Sequence, residues 1–242
     1  MLIVALCLSQ ERNADVSVYA WSKPKSQGGD GTCGMTTGGP SRLFKMGATW
    51  LEVPRTDPRF RFGTWTRRPD KLDNIRVRFD RPFVEQSVSV VAFFRGFKMV
   101  KGNDEHSRPV WRGEVTVKNV DSTGFEMAIS SAQGDFNLEV EVDWVAHMTV
   151  DPTVKSGYMT IDHSDQPKFP QTTRCNFNNG EMAANPDYIF QAWSKIDVSA
   201  ERNMRLIHSA SEISKSGFTW KTESWDDTLC WSARGAWIAL MK

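Results

Sequence analysis

Residues Asn137–Met148 read NLEVEVDWVAHM. Leu138, Val140, Val142 and Trp144 share one parity, and Glu139, Glu141 and Asp143 share the other. Side chains alternate between faces along a strand, so this run predicts an antiparallel strand with one packed and one wet face. Upstream, Ser87–Phe94 (SVSVVAFF), Glu114–Val120 (EVTVKNV) and Phe125–Ser131 (FEMAISS) are rich in β-branched or aromatic residues. Turn-forming clusters at Ser122–Gly124 and Gln133–Asp135 separate these runs at the spacing of an all-β sandwich. No segment carries a capped helical stripe. The expected class is all-β.

The same stretch anchors an internal repeat. A shift of 93 positions lays Arg112 on Arg205, Gly124–Phe125 on Gly217–Phe218, Ser131 on Ser224, and Trp144, Ala146 and Met148 on Trp237, Ala239 and Met241. A glycine–phenylalanine turn, a closing tryptophan strand and an upstream arginine thus keep one register, the mark of two tandem units. Further upstream the copies need small gaps, with Ser87–Phe97 facing Tyr188–Ile196. A weaker echo lays Leu2–Trp21 on Phe125–Trp144, as if the chain opened with the last two strands of an incomplete third copy. The expected organisation is residues 1–40 as opening strands plus a linker, 41–150 as a first module, and 151–242 as a second. The linker, Lys23–Pro40 (KPKSQGGDGTCGMTTGGP), is named by its Gly/Pro/Ser/Thr content.

Composition narrows the function. The 242 residues carry 30 Lys+Arg against 29 Asp+Glu, a formal charge of +1. That balance argues against nucleic acid or an anionic membrane as the main partner. No apolar run approaches the roughly 18–20 residues of a spanning helix, so no membrane insertion is expected. Ten tryptophans against three tyrosines point to packed β-sheet cores, sugar-stacking surfaces, or both. Cys7, Cys33, Cys175 and Cys230 have no CxxC spacing, and the chain has no Asn-x-Ser/Thr sequon. The apolar MLIVALCLSQ start lacks a basic n-region and a close cleavage site. It reads as a buried strand, and the compartment tilts toward cytoplasmic over secreted.

Several motifs reduce to ordinary structure. The GGDGTCGMTTGG stretch lacks the ending of a phosphate loop. His106, His147, His163 and His208 have no metal-ligand spacing, so no metal or other cofactor is expected. Arg55–Arg81 interleaves basic residues with Phe60, Phe62, Trp65 and Phe79, a pattern used on single-stranded nucleic acid but also by strands with outward arginines. No nucleophile elbow or paired-carboxylate signature marks an enzyme. The richest cluster is Asn203-Met-Arg205-Leu-Ile, Ser216-Gly217-Phe218, Ser224-Trp225-Asp226-Asp227-Thr228 and Trp231. A turn at Trp225–Thr228 would put Asp226 at a loop tip beside Arg205 and Trp231. Guanidinium and carboxylate read hydroxyls through directional hydrogen bonds, and an indole face packs on the apolar side of a pyranose. The other reading is an Arg–Asp pair closing a sandwich end beside a core tryptophan.

Those residues, with Ile196-Asp197-Val198 upstream and the closing Ala236-Trp-Ile-Ala239, resemble an H-type lectin domain. The resemblance covers about Ser156–Lys242 and, through the repeat, extends to about Arg59–Met148. It implies tandem six-stranded antiparallel β-sandwiches and a trimerising, metal-independent lectin for galactose-type sugars, often N-acetylgalactosamine. Arg205 matches the family's sugar-binding arginine. Asp226 falls where the family has a histidine, and Trp231 where it has a tyrosine. Asp165 stands for an aspartate in the loop after the first strand. Arg112 keeps the arginine position in the first copy, whose loop, Ala132-Gln133-Gly134, has lost its tryptophan. The resemblance therefore implies a glycan-binding homo-oligomer, trimer favoured, with a degenerate first site. The rival is an adhesion or structural protein using the sandwiches for protein contacts.

Overall fold

The computed structural model describes residues 2–10, 16–23, 32–37, 43–54, 56–67, 74–85, 87–131, 139–161, 169–178 and 180–242. Among them there is no helix, and no helix long and apolar enough to cross a membrane. The strands are β1 (Leu2–Gln10), β2 (Val16–Lys23), β3 (Thr32–Thr37), β4 (Leu43–Glu52), β5 (Phe60–Arg67), β6 (Ile75–Arg78), β7 (Val88–Met99), β8 (Gly102–Asn103) and β9 (Pro109–Asp121). They continue as β10 (Gly124–Ser131), β11 (Glu139–Met148), β12 (Val154–Ile161), β13 (Gln171–Asn176), β14 (Tyr188–Ser199), β15 (Met204–Ser214), β16 (Gly217–Glu223) and β17 (Cys230–Leu240). The all-β expectation holds. The four period-two or apolar runs fall on strands where they are described, Val88–Phe94 on β7, Glu114–Val120 on β9, Phe125–Ser131 on β10 and Glu139–Met148 on β11, and the Ser122–Gly124 turn joins β9 to β10. The Gln133–Asp135 turn lies outside the described residues.

One pairing plan occurs twice. In residues 60–148, β11 lies between β5 and β7, and β10 lies between β6 and β9. In residues 154–240, β17 lies between β12 and β14, and β16 lies between β13 and β15. Finer details recur too. A Cβ built on Gly63 of β5 would sit 2.7 Å from the Trp144 ring, and one on Gly157 of β12 would sit 2.8 Å from that of Trp237. Only a bare backbone passes over an indole that closely. Asn119 and Glu212 share a left-handed φ of 49°, and Arg76 and Arg174 donate to their respective carbonyls. The bulges in β7 and β14 fall at matching places against β11 and β17.

The halves are then stitched edge to edge. β9 pairs with β14, β15 with β1, and β7 with β2, all antiparallel. Three sheets result, running β12-β17-β14-β9-β10-β6, β13-β16-β15-β1-β4 and β3-β2-β7-β11-β5. β1 stands where β7 and β14 stand, not where β10 does, because it pairs with β15 on one side and β4 on the other. The echo of Leu2–Trp21 on Phe125–Trp144 therefore has a different register. Four opening strands, not two, take up the plan. β4 pairs with β1 although the sequence reading begins the first module at residue 41. β3 crosses the stretch read as a linker, pairing Thr32–Thr37 with β2.

The largest core is shared: Phe125 and Trp144, edge-on at 5.3 Å, cluster with Trp193, Ile196 and Leu206 of the second half and Val18 of β2. A smaller core lies within the second half, where Trp237 meets Phe218 at 5.6 Å and Phe177 at 5.4 Å. A third core joins the outer faces: Val91, Phe93 and Val145 of the first half meet Phe190, Ile238 and Val154 of the second. This overturns one expectation. Alternation puts Asp143 on a wet face with Glu139 and Glu141, but its side chain is fully buried. Alternation sorts residues onto two faces, and here the second face is covered by the other half. Asp143 accepts from Thr64 at 2.6 Å, with Arg95 at 3.7 Å. Burial, resisted by the Thr64 hydrogen bond and the Arg95 charge, raises its pKa to about 6.

Candidate functional site

Arg205 is the second residue of β15, which its buried neighbours Met204 and Leu206 hold against the core. β16 and β17 belong to different sheets, so the loop Ser224–Leu229 must cross the end of the sandwich. It does so with a tight turn in which Asp226 takes a left-handed φ of 60°, a conformation aspartate tolerates better than most side chains. The Thr228 hydroxyl donates to the Asn203 carbonyl at 2.8 Å and ties the loop to the start of β15.

This geometry brings both loop carboxylates to one guanidinium. Arg205 Nη1 donates to Asp227 at 2.6 Å, and Nη2 lies 3.1 Å from Asp226. Asn203 also donates to Asp227, at 3.3 Å. Burial raises the Asp227 pKa, but hydrogen bonds from Arg205 and from the Asn203 backbone outweigh it and hold the carboxyl below its usual range. The Arg205 side chain is only 12% exposed while that of Asp226 is 67% exposed. The cation is thus the fixed floor and Asp226 the solvent-facing lip. A carboxylate held this way still has lone pairs free to accept from hydroxyls.

The indole at this rim is not the expected one. Trp231 is 7% exposed and packs with Val110 and Leu229. The Arg108 guanidinium lies 4.2 Å above its ring. Trp225, inside the loop itself, is 41% exposed. Sequence reasoning named Trp225 in the cluster but did not choose it. The signal was its adjacency to Asp226, since a tryptophan at a turn lacks the strand alternation that buries Trp231. Asp227, the tighter partner of Arg205, was missed for a similar reason: adjacent carboxylates cannot be ranked before the turn type is known.

Arg112 lies at a different junction. Its Nε is 3.1 Å from Asp197 on β14, and its Nη1 donates to Glu105 at 3.0 Å. Burial lowers the Arg112 pKa, yet the carboxylate of Asp197 beside it and its hydrogen bond to Glu105 more than offset this, and the value is raised. Beside it, Asp104 receives Arg108 Nε at 2.6 Å and the backbone N–H groups of His106 and Arg108. Burial alone would raise the Asp104 pKa, but these bonds bring it down to about 2. Asp104, Glu105 and His106 are the closest set of metal-ligand types among the described residues. Arg108 and Arg112 already occupy the two carboxylates. Asp165 lies outside the described residues.

The basic Arg55–Arg81 stretch is structural where it is described. Arg61 is buried, donates to the Arg81 and Pro58 carbonyls at 2.8 and 3.0 Å, and lies 4.6 Å from the Phe83 ring centre. Arg59 forks onto Asp57 at 2.8 Å, and Arg76 pairs with Asp121.

Residues 184–240 match the family model of the H-type lectin domain. The match spans β14 to β17 and contains Arg205, Trp225, Asp226, Asp227 and Trp231. A lectin domain in this part of the chain implies carbohydrate binding in general terms. Among curated proteins and among solved structures there is no match.

Proposed function

We propose that residues 151–242 form an H-type-lectin-like module that grips a terminal galactose-type sugar, such as N-acetylgalactosamine, at the Arg205–Asp226 rim. The protein binds rather than transforms its ligand, and it needs no metal ion to do so. The observation that carries this reading is the Arg205 fork holding two carboxylates with one of them open to solvent, inside the region that matches the family. Asp226 accepts hydrogen bonds from sugar hydroxyls, Arg205 fixes and charges the site, and Trp225 offers the exposed ring. Trp231 braces the module from behind. Asp165 is a further contact by resemblance.

Residues 41–150 form, in the same proposal, a second module of the same plan. The recurring strand order, glycine–tryptophan contacts and left-handed residues in β9 and β15 support it. The resemblance implies a trimer of modules. In this proposal the chain forms a homo-oligomer, trimer favoured, and the edge-to-edge pairings β9–β14, β15–β1 and β7–β2 within one chain support association through strand edges. Single shallow sugar sites bind weakly, and several linked sites raise the effective affinity.

A second reading, in which the sandwiches serve protein contacts, draws on the first arginine. Arg112 is closed against Asp197 of β14, so at that position the constellation holds the halves together. A glycan array probed with wild type, Arg205→Ala and Asp226→Ala separates the readings. The lectin reading expects signal on terminal galactose or N-acetylgalactosamine glycans, reduced roughly tenfold or more in both variants by loss of a charge-assisted hydrogen bond. Unchanged signal in the variants would refute the site.

A further inference from the structure

β5 and β12 each close one side of a sheet. β5 runs along β11 over eight registered pairs, and β12 runs along β17 over eight. β4 holds the position in its own sheet that β11 and β17 hold in theirs. Trp50 is in register with Val4 of β1, as Trp144 is with Ala92 of β7 and Trp237 with Gln191 of β14. The flanking residues agree: Thr49-Trp50-Leu51 stands beside Asp143-Trp144-Val145 and Ala236-Trp237-Ile238. Among the described residues, however, β4 ends its sheet and nothing pairs with its outer edge.

The tryptophans register the difference. Trp144 and Trp237, under Gly63 and Gly157, are 6% and 1% exposed, whereas Trp50 is 60% exposed. Beside Trp50 runs a groove of about 650 Å³, lined by Thr49, Leu51 and Val53 on one side and Tyr188, Phe190 and Leu240 on the other. The complete half shows what such a groove takes. From β12, Tyr158 reaches across the seam and accepts a hydrogen bond from the Ala92 backbone N–H of β7 at 2.8 Å. The position on β14 equivalent to Ala92 is Gln191, next to Phe190 of the groove wall.

We propose that the outer edge of β4 is a strand-acceptor site for an extended, glycine-centred peptide segment. The segment runs antiparallel to β4 with a glycine over Trp50. Its backbone satisfies the open edge, and its alternate side chains enter the groove, the mode of recognition by strand addition. The two internal occupants of this position define the partner's chemistry: β5 reads FRFGTWTR and β12 reads VKSGYMTI, each with glycine fourth and threonine seventh. A residue with a Cβ at the fourth place would collide with the indole, so the glycine is the selective feature. This inference rests on the sheet pairing and not on the Arg205 rim.

The test uses the whole chain and a fluorescently labelled peptide, TVKSGYMTID, corresponding to residues 153–162. Anisotropy is expected to report saturable binding, with a Gly→Val change at the peptide's fifth residue weakening it at least tenfold. In Trp50→Ala the steric reason for glycine is gone, so the two peptides should bind within about threefold of each other. Trp50 is exposed, and its removal leaves the core unchanged; glycan binding at Arg205 should persist in this variant. Absence of saturable binding, or equal binding of both peptides by the wild type, would overturn the proposal. So would a concentration-dependent dimer of the chain alone that the peptide dissolves, because the edge would then belong to self-association.

Discussion

Arg112 on β9 and Asp197 on β14 face each other across the line where the two halves of the chain join, 3.1 Å apart. At the corresponding place on β15, Arg205 stands in register with Ser9 of β1. It draws both of its carboxylates from its own loop. One arginine is therefore spent on holding the halves together, and the other holds an open lip. The chemistry of the two sites diverges through what lies opposite, not through the arginine.

Removing one member of the closed pair should be costly. Asp197 is 3% exposed, and Arg112→Ala would leave its carboxylate without its cation. Losing one partner of a buried pair destabilises by about 3 kcal/mol. Urea unfolding should register that loss for Arg112→Ala.

Arg205 should affect both stability and binding. Its side chain is largely buried and bound to Asp227. Arg205→Ala should therefore lower stability by about 1 kcal/mol, while Asp226→Asn, at a solvent-facing position, should leave the unfolding midpoint unchanged. Paired glycan titration and urea melts of the two variants check this: loss of binding in Asp226→Asn without loss of stability is the expected separation.

His147, which is buried, and His208, whose ring lies against Trp193, predict acid sensitivity. His147 donates from Nδ1 to the Met148 carbonyl at 2.9 Å, so in the neutral ring Nε2 accepts from Ser156 at 2.8 Å. His208 lies against Trp193 at 4.4 Å. Burial lowers both pKa values to about 4. The unfolded chain takes up these protons near pH 6.5 and the folded chain does not, so stability falls as pH drops from about 6.5 toward 4. Thermal melts across that window should show the decline, and replacing either histidine with Gln should make it shallower.

Asp143 acts in the opposite sense. Its folded pKa of about 6 lies above the ordinary 3.8, so its ionised form costs stability above pH 6 and the cost fades toward pH 4. Asp143→Asn should keep the Thr64 hydrogen bond and raise stability at pH 7.5 by on the order of 2 kcal/mol. The gain over wild type should vanish near pH 4. A constant difference at all pH values would disprove this account.

Gly157 and Gly63 should tolerate no side chain. A Cβ on Gly157 would meet the buried Trp237 ring at 2.8 Å, and overpacking of this kind costs about 1–3 kcal/mol. Gly157→Ala and Gly63→Ala should lose comparable stability by denaturant unfolding, as befits equivalent positions.

Which parts of this architecture were legible follows from what alternation encodes. The runs around Phe94, Val117, Phe125 and Trp144 mark strands because period two is a local property. The spacing from Arg205 to Phe218 and Trp237 likewise survives in the chain as a repeat of Arg112, Phe125 and Trp144. Alternation does not say what covers a face, so Asp143 read as wet and Trp231 as a sugar platform. β3 hid among glycines, where Gly34 lies so close to the Trp21 ring that a Cβ would come within 2.5 Å. The pairing of β1 with β15 has no local signature at all. The candidate arginine and its loop could be read from the sequence, whereas the carboxylate that grips it most tightly and the indole left exposed depended on the turn.

The register that sets Leu8 opposite Leu206 has a consequence for synthesis. β1 leaves the ribosome long before β15, one of its two neighbours. Closing so long a loop is slow, and a nascent chain must carry β1 with one edge open after β4 has paired with the other. Chaperone demand and aggregation during expression should therefore track the delay between the appearance of β1 and that of β15, and not the stability of the finished molecule.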